Sequence, residues 1–188
     1  MNAVVRLVLT LLLALAGGGV SADARAADRP AGTALSQADD AAIRAIAKGF
    51  YETLIASRPS GLPSGPEMER LRPYLSRDLL RLMERASRRQ GAFERAHRGD
   101  KPPLVDGCIF SCLFEGPRWF ALGAPRRDGP TVRLDAKLSG DTAGKDLTWT
   151  DTLVLVKESG GWRISDVRMG CTWPFRMGPT LRAMLADV

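Results

Sequence analysis

Histidine and cysteine, which build many metal centres and nucleophilic sites, are scarce in this chain of 188 residues. The single histidine, His97, excludes a metal site made of several histidines. The three cysteines are Cys108, Cys112 and Cys171. A Cys-x3-Cys pair with one distant partner is a weak metal pattern, and it is not the Cys-x2-Cys spacing of thioredoxin-like proteins. We therefore expect no metal and no cofactor.

Long apolar runs are also lacking, apart from one stretch near the start of the chain. Residues 7–16 follow Arg6 and are nearly all apolar, but they are too few to cross a bilayer. Ala24-Arg25-Ala26 then provides a small-x-small cleavage pattern. We expect residues 1–26 to be a cleaved signal peptide, with no transmembrane segment after it. Because no cysteine lies near this cleavage pattern, a lipoprotein anchor is not expected, and the mature chain should be periplasmic or secreted.

The charge is unevenly distributed along the chain, whose formal net charge is +6. Residues 27–102 contain 14 Lys and Arg against 10 Asp and Glu, whereas residues 103–188 contain 11 against 10. A basic face can meet nucleic acid, anionic lipid or an acidic protein, or it can simply be solvated. The basic face within residues 77–98 lacks interleaved aromatic side chains, so we do not expect nucleic-acid binding.

The first part of the mature chain has the apolar period of a helix. We interpret residues 27–38 as a flexible polar tail. Apolar residues then recur at spacings of three and four, which predicts a helix over residues 39–57. Asp39 or Asp40 is the expected N-cap, and Pro59 disfavours helix at the residue before it.

A second long helix is predicted after a Gly- and Pro-rich loop and a helical turn at residues 67–71. Ser76 is its expected N-cap, and the helix should reach about residue 89, with a weaker continuation to residue 97. Glu84 and Arg88 have the spacing of an i,i+4 ion pair. The buried stripe is expected to comprise Leu79, Leu82, Met83 and Ala86.

The second half alternates apolar and polar residues, which is the period of a half-buried strand. Four extended segments are predicted, at residues 118–123, 131–138, 147–157 and 162–168. A short amphipathic helix over residues 178–187 closes the chain. Helices followed by an antiparallel meander indicate the α+β class. We expect one domain, residues 39–188, with N-terminal helices packed on a curved antiparallel sheet of four or more strands.

Two stretches of the chain resemble a known family. They are Asp106-Gly107 with Phe110-Ser111-x-Leu113-Phe114-Glu115-Gly116, and the ending Gly161-Trp162-Arg163-Ile164-Ser165-Asp166-Val167. With the early Phe50-Tyr51 helix, they resemble secreted bacterial proteins of the domain-of-unknown-function 3828 type (DUF3828), in the nuclear-transport-factor-2-like (NTF2-like) superfamily. The resemblance implies a cone-shaped α+β barrel, often dimeric and sometimes with a ligand cavity. It brings no catalytic residues.

The cysteines are expected to form one disulfide, because an exported chain meets an oxidising environment. The resemblance implies polar residues where Cys108 and Cys112 stand, so these thiols are a local addition. Cys171 follows the last predicted strand, and Cys108 opens the segment that leads into the first strand. We therefore expect a Cys108–Cys171 disulfide, with Cys112–Cys171 as the alternative.

Three carboxylates are candidates for acid–base chemistry at a cavity mouth. Asp106 and Glu115 flank the Cys108–Phe114 segment, and Asp166 lies in the last predicted strand. Two carboxylates at one site could share the roles of acid and base. The competing interpretation is that Asp106 makes a turn and that Glu115 binds loop amides.

Four tryptophans offer a further route to a binding site. Trp119 and Trp162 lie within strand patterns, where core packing is the usual role. Trp173 lies in a segment bounded by Gly170 and Pro174, which favours an exposed or cavity-capping aromatic side chain. With Asp106 and Glu115, Trp173 completes the set of candidate ligand-binding residues.

The sequence specifies a compartment and a fold class more firmly than an activity. We expect a secreted or periplasmic, non-enzymatic domain that binds a small molecule or a protein partner. An immunity or inhibitor protein that blocks an envelope enzyme is a specific form of this hypothesis. The alternative is a cavity-based enzyme that uses Asp106, Glu115 or Asp166 as its base. A carboxylate that points into a cavity without a partner would favour the enzyme, and a filled or apolar interior would favour the binding domain.

Overall fold

The computed structural model describes residues 34–173 and 178–188. The predicted signal peptide and residues 27–33 of the predicted tail lie outside the described residues. The first helix, α1, spans Gln37–Ser57. Its N-cap is Ser36, whose side chain accepts a hydrogen bond from the Asp39 amide at 3.0 Å, so the expected cap at Asp39 or Asp40 is wrong. The helix ends as predicted, at Ser57, and its C-cap Arg58 has a left-handed φ of 43°.

Two further helices follow and complete the helical half. Helix α2 spans Gly65–Leu71, a 3₁₀ turn covers Arg72–Tyr74, and helix α3 spans Arg77–Ala96. The predicted Ser76 cap is confirmed, because its hydroxyl accepts from the Leu79 amide at 3.2 Å. Helix α3 buries the four predicted residues, Leu79, Leu82, Met83 and Ala86.

The second half forms one open antiparallel sheet of five strands, which confirms the α+β class. The strands are β1 (Trp119–Leu122), β2 (Arg126–Asp128), β3 (Thr131–Thr142), β4 (Lys145–Glu158) and β5 (Gly161–Arg168). Their order is β1-β3-β4-β5. Strand β2 pairs with residues 131–133 of β3, and β1 pairs with residues 136–139 of the same strand. The predicted C-terminal helix forms as α4, which is shorter than expected and spans Leu181–Ala186. Within the described residues, no helix is long and apolar enough to span a membrane.

Alternation along β3 and β4 decides which side chains enter the core. Leu134 lies opposite Leu153, and Leu138 lies opposite Trp149, and all four are buried. Trp119 pairs with Ser139, one residue out of phase with this set, so its side chain lies on the other face and is 52% exposed. The expected core position of Trp119 is therefore wrong.

Aromatic rings fill the space between α1 and the sheet. Phe50 contacts Tyr51 and Phe110 edge to face, with ring centroids 5.2 and 5.8 Å apart. Tyr51 stacks on Phe120 of β1 with centroids 5.3 Å apart. Phe50, Tyr51 and Phe110 are fully buried. The interior beside α1 is thus packed by side chains.

Candidate functional site

The predicted ligand-binding carboxylates lie near the surface and are held by the chain itself. Asp106 forms an ion pair with Lys101. Glu115 is exposed and accepts a hydrogen bond from the Thr142 hydroxyl at 2.6 Å. Both carboxylates thus have partners within the protein, and the partner of Glu115 is a hydroxyl of β3 rather than the expected loop amides.

Asp166, the third candidate base, anchors the C-terminal helix. Its Oδ1 atom accepts from the Arg182 amide at 3.0 Å and from the Val167 amide at 2.9 Å. Burial raises the pKa of Asp166, and the two amides and the nearby Arg182 and Arg168 oppose that rise. The carboxylate therefore accepts hydrogen bonds at the start of α4.

Trp173, the remaining predicted ligand-binding residue, is half-buried. Its ring meets Trp149 edge to face, with centroids 5.7 Å apart. Trp149 belongs to β4, while Asp106, Glu115 and Asp166 contact other elements. Each of the four candidate residues thus contacts a different part of the protein.

A different carboxylate, Asp151, occupies the centre of the sheet's inner face. It lies on β4 opposite Ala136 and is fully buried. Its Oδ2 atom accepts from the Ser111 hydroxyl at 3.0 Å, the Cys112 amide at 3.1 Å and the Trp149 indole at 3.0 Å. Its Oδ1 atom accepts from the Gly170 amide at 3.0 Å. Asp151 thus joins β4 to two separate loops.

The environment of Asp151 is unusual for an ionisable group. Burial raises its pKa, and its four hydrogen-bond donors oppose that rise. Sequence reasoning missed this residue, although a signal was present. Asp151 continues the inward alternation of Trp149 and Leu153, and a charged residue at an inward strand position needs partners.

The disulfide joins the two loops that Asp151 holds. Cys112 is bonded to Cys171, with Cα atoms 6.1 Å apart, while Cys108 is a buried free cysteine. The preferred Cys108–Cys171 pairing is therefore wrong, and the alternative is the one formed. The physical reason is that the Asp151 carboxylate binds the amides of Cys112 and of Gly170, which directly precedes Cys171.

Two glycines allow the backbone to pack closely here, Gly170 next to the disulfide and Gly116 next to the free Cys108. A Cβ atom at Gly170 would collide with the carbonyl oxygen of Thr150, so only glycine permits this loop to lie against β4. A Cβ atom at Gly116 would lie 3.2 Å from the Cys108 sulfur. Cys108 is thus enclosed beneath its own loop. Burial raises the pKa of its thiol to about 12.

Tyr51 lies beside this polar cluster. Its hydroxyl is buried and has no hydrogen-bond partner among the described residues. Burial, followed by the nearby Asp151 carboxylate, raises the pKa of Tyr51 well above its usual value. The hydroxyl is therefore neutral, and it cannot serve as a base at physiological pH.

Two grooves on the described surface lie away from this interior cluster. One groove of about 670 Å³ lies between α1 and the segment from α2 to the 3₁₀ turn, and it is lined by Glu52, Thr53, Ala56, Ser57, Arg70 and Tyr74. A second groove of about 320 Å³ lies between the α2 region and α3. Neither groove is lined by Asp106, Glu115, Asp166 or Trp173.

Neither a metal centre in the described part of the chain nor a known relative points to a function for this protein. Within the described residues, no cluster of three or more His, Cys, Asp or Glu side chains could hold a metal ion. No family model, curated protein or solved structure matches the chain significantly. The functional argument therefore rests on the residues themselves.

Proposed function

We propose that this protein is a secreted or periplasmic, non-enzymatic binding domain that recognises a protein partner through its surface. The proposal includes the NTF2-like arrangement, in which a curved sheet wraps around the long N-terminal helix. A specific form of it is an immunity or inhibitor protein that blocks an enzyme of the cell envelope.

The packed interior is the observation that carries the proposal. In a cavity-based enzyme or a small-molecule carrier, the space between the helix and the sheet would hold the ligand. Here Phe50, Tyr51, Phe110 and Phe120 occupy that space. Binding is thereby directed to the outer surface, where a protein partner is the natural ligand.

The contacts of the candidate carboxylates support the same proposal. Asp106 pairs with Lys101, Glu115 accepts from Thr142, and Asp166 accepts from two backbone amides. A general base needs an open approach to the proton it removes. Carboxylates engaged in this way suit a structural role better than a catalytic one.

The compartment is supported by two independent features. The signal-peptide pattern of residues 1–26 predicts export. The Cys112–Cys171 disulfide suits an oxidising compartment. A toxin or hydrolase of the envelope would share that compartment, which is why an inhibitor of such an enzyme is a coherent form of the proposal.

Native mass spectrometry of protein purified from the periplasm, combined with cross-linking before lysis, tests the proposal. We expect a mature chain that begins near Ala27, one disulfide, and a cross-linked complex with a second protein. The same spectrum reports whether the chain is a homodimer. A stoichiometric small molecule that is released only on unfolding, or a full-length chain recovered from the cytoplasm, would contradict the proposal.

A further inference from the structure

The outward face of α3 carries a row of exposed arginines with one gap, at Ala92. Arg81, Arg85, Arg88 and Arg95 are spaced four, three and seven residues apart, so they share one helix face. All four are exposed, and they lie opposite the residues that α3 buries. At a rise of about 1.5 Å per residue, this arginine row extends over roughly 20 Å.

Most of this positive charge is not neutralised by the protein. Arg81 forms an ion pair with Asp78, at 3.3 Å. Among the described residues, Arg85, Arg88 and Arg95 have no carboxylate partner. The predicted ion pair between Glu84 and Arg88 does not form in this part of the chain. The arginine row therefore presents guanidinium groups that are available to an external anion.

The chemistry of arginine narrows the class of anion. Residues 77–98 contain seven arginines and no lysine. A guanidinium group binds a carboxylate through two parallel hydrogen bonds, and arginine is enriched in protein interfaces where lysine is depleted. A row of arginines on a rigid helix thus suits a protein surface that presents carboxylates at fixed spacings.

A groove beside the row supplies an apolar contact. The groove of about 320 Å³ has apolar, basic and acidic lining residues, among them Leu62, Met68, Met83, Arg72, Arg88, Glu69 and Glu84. Glu69 forms an ion pair with Arg72, so Arg88 is the arginine of the groove that has no carboxylate partner among the described residues. Arg88 belongs to both the row and the groove. Leu62 and Met68 are half-buried and form the accessible apolar floor of the groove, whereas Met83 is only 1% exposed. An apolar floor with a charged rim is the usual anatomy of a protein interface.

The same face is poorly suited to a membrane. Amphipathic helices that lie in a bilayer surface bury bulky apolar side chains next to their basic residues. The large apolar side chains that are exposed in the described structure are Val105, Phe114 and Trp119, and none of these belongs to α3. Charge complementarity therefore favours an acidic protein over an anionic lipid.

We infer that the arginine row and its adjoining groove form the docking surface for an acidic segment of a partner protein, with one apolar side chain of that segment seated against Leu62 and Met68. This inference rests on the proposed function and names the chemistry of the partner. A polyproline II segment has three residues per turn and advances about 3.1 Å per residue, so acidic residues at every third position share one face about 9 Å apart. This spacing is close to the roughly 10 Å between Arg81 and Arg88 along the helix axis. Glu84, which also lines the groove, disfavours a carboxylate placed directly over the floor.

The probe for this inference is a fluorescein-labelled peptide of about twelve residues, rich in Pro so that it adopts polyproline II, with Glu at every third position and one central Leu. A second peptide replaces the Leu with Ser, and a third replaces every Glu with Gln. Fluorescence anisotropy compares three forms of the mature protein. These are the wild type, the Arg81→Gln/Arg85→Gln/Arg88→Gln variant, and a charge-matched control, Arg70→Gln/Lys137→Gln/Lys145→Gln. The control residues are exposed and lie on other elements. Circular dichroism melting checks that each variant is folded.

We expect the row variant to weaken binding of the Glu/Leu peptide by at least about tenfold, and the control to weaken it less than about twofold. The Ser and Gln peptides should bind more weakly than the Glu/Leu peptide. Equal losses in both variants would show a net-charge effect and overturn the inference. The inference also fails if the three peptides bind with similar affinity. It fails as well if the row variant loses binding to phosphatidylglycerol vesicles but keeps binding to the Glu/Leu peptide.

Failure of this inference can be separated from failure of the proposed function. If the row variant still forms the cross-linked periplasmic complex, the partner binds elsewhere, so the inference fails while the proposed function stands. If the wild type forms no such complex, the proposed function fails with it.

Discussion

The carboxylate of Asp151 accepts a hydrogen bond from the backbone amide of Cys112, the residue whose side chain is bonded to Cys171. The other oxygen of the same carboxylate accepts from Gly170. One buried side chain of β4 therefore holds both ends of the disulfide. We conclude that Asp151 positions the cross-link, because it fixes each loop through its backbone.

Replacing Asp151 should destabilise the fold strongly. Asp151→Ala leaves four donors without their acceptor in the interior, and we expect a loss of about 3–5 kcal/mol in the free energy of unfolding. In Asp151→Asn, the remaining side-chain oxygen can still accept from the three donors that bind Oδ2 in the wild type. Only the Gly170 amide then faces the NH₂ group. Its loss should be smaller, about 1–3 kcal/mol. Equilibrium urea unfolding without reductant measures both.

Asp146→Ala is the matched control for Asp151, because Asp146 lies on the same strand but is exposed. It should change stability by less than about 0.5 kcal/mol. If Asp151→Ala lowered the free energy of unfolding by no more than this control does, Asp151 would not position the disulfide.

Loss of either Cys112 or Cys171 should remove the disulfide and lower the stability of the fold. These residues are 59 positions apart, and closing a loop of that size is worth about 4 kcal/mol in the chain-entropy model. Cys112→Ser and Cys171→Ser should therefore lower the melting temperature to a similar extent. Peptide mapping without reductant should recover the Cys112–Cys171 link.

Cys108 provides the internal control for this experiment. Because burial raises the pKa of its thiol to about 12, iodoacetamide should modify Cys108 only after the protein is unfolded. Recovery of a Cys108–Cys171 or Cys108–Cys112 peptide would disprove the pairing, as would rapid alkylation of Cys108 in the native protein.

Local patterns in the sequence predicted the elements of this fold well. The alternation that predicts a strand at residues 131–138 lies within β3, and Ser76 caps α3 because it precedes an amphipathic run. Ser36 was missed as the cap of α1, since the nearby Asp39 and Asp40 satisfy the same local rule. Short-range rules thus identified the helices and four of the five strands, but they missed β2 and left a terminus ambiguous.

Long-range relationships could not be read in the same way. The choice between Cys108 and Cys112 depends on which amide reaches Asp151, some 40 residues further along the chain. The face of Trp119 depends on its register with Ser139, which no local pattern specifies. The candidate carboxylates were selected by residue type, and their partners are set by tertiary contacts.

Phe50 should be among the most costly residues to truncate in α1. It is fully buried and packs edge to face against Tyr51 and Phe110. Phe50→Ala should therefore lower the free energy of unfolding by about 3–5 kcal/mol. Phe114→Ala removes the same atoms from a ring that is 45% exposed, and it should cost about 1 kcal/mol or less. Similar losses for the two variants in urea unfolding would show that the interior beside α1 is not tightly packed.

The start of α1 is tied to the sheet through an acid-sensitive contact. Asp39 Oδ1 accepts from Lys157 Nζ and from the Trp162 indole, each at 2.8 Å. The hydrogen bond from Lys157, followed by those from Trp162 and Ser36, lowers the pKa of Asp39 from 3.8 to about 2. Since the folded pKa lies below the unfolded value, the stabilising contribution is present above pH 3.8 and is lost as the pH falls towards 2.

A double-mutant cycle with Asp39→Asn and Lys157→Gln, followed by urea unfolding between about pH 7 and pH 2, tests this contact. We expect favourable coupling between the two residues at neutral pH, because the ionised carboxylate accepts from the ammonium group. The coupling should be constant down to about pH 5, decline between pH 4 and pH 2, and be nearly absent at the acid end. The decline would therefore report protonation of Asp39. Coupling that persists unchanged at pH 2, or that grows as the pH falls, would show that the Asp39 carboxylate does not join α1 to the sheet in this way.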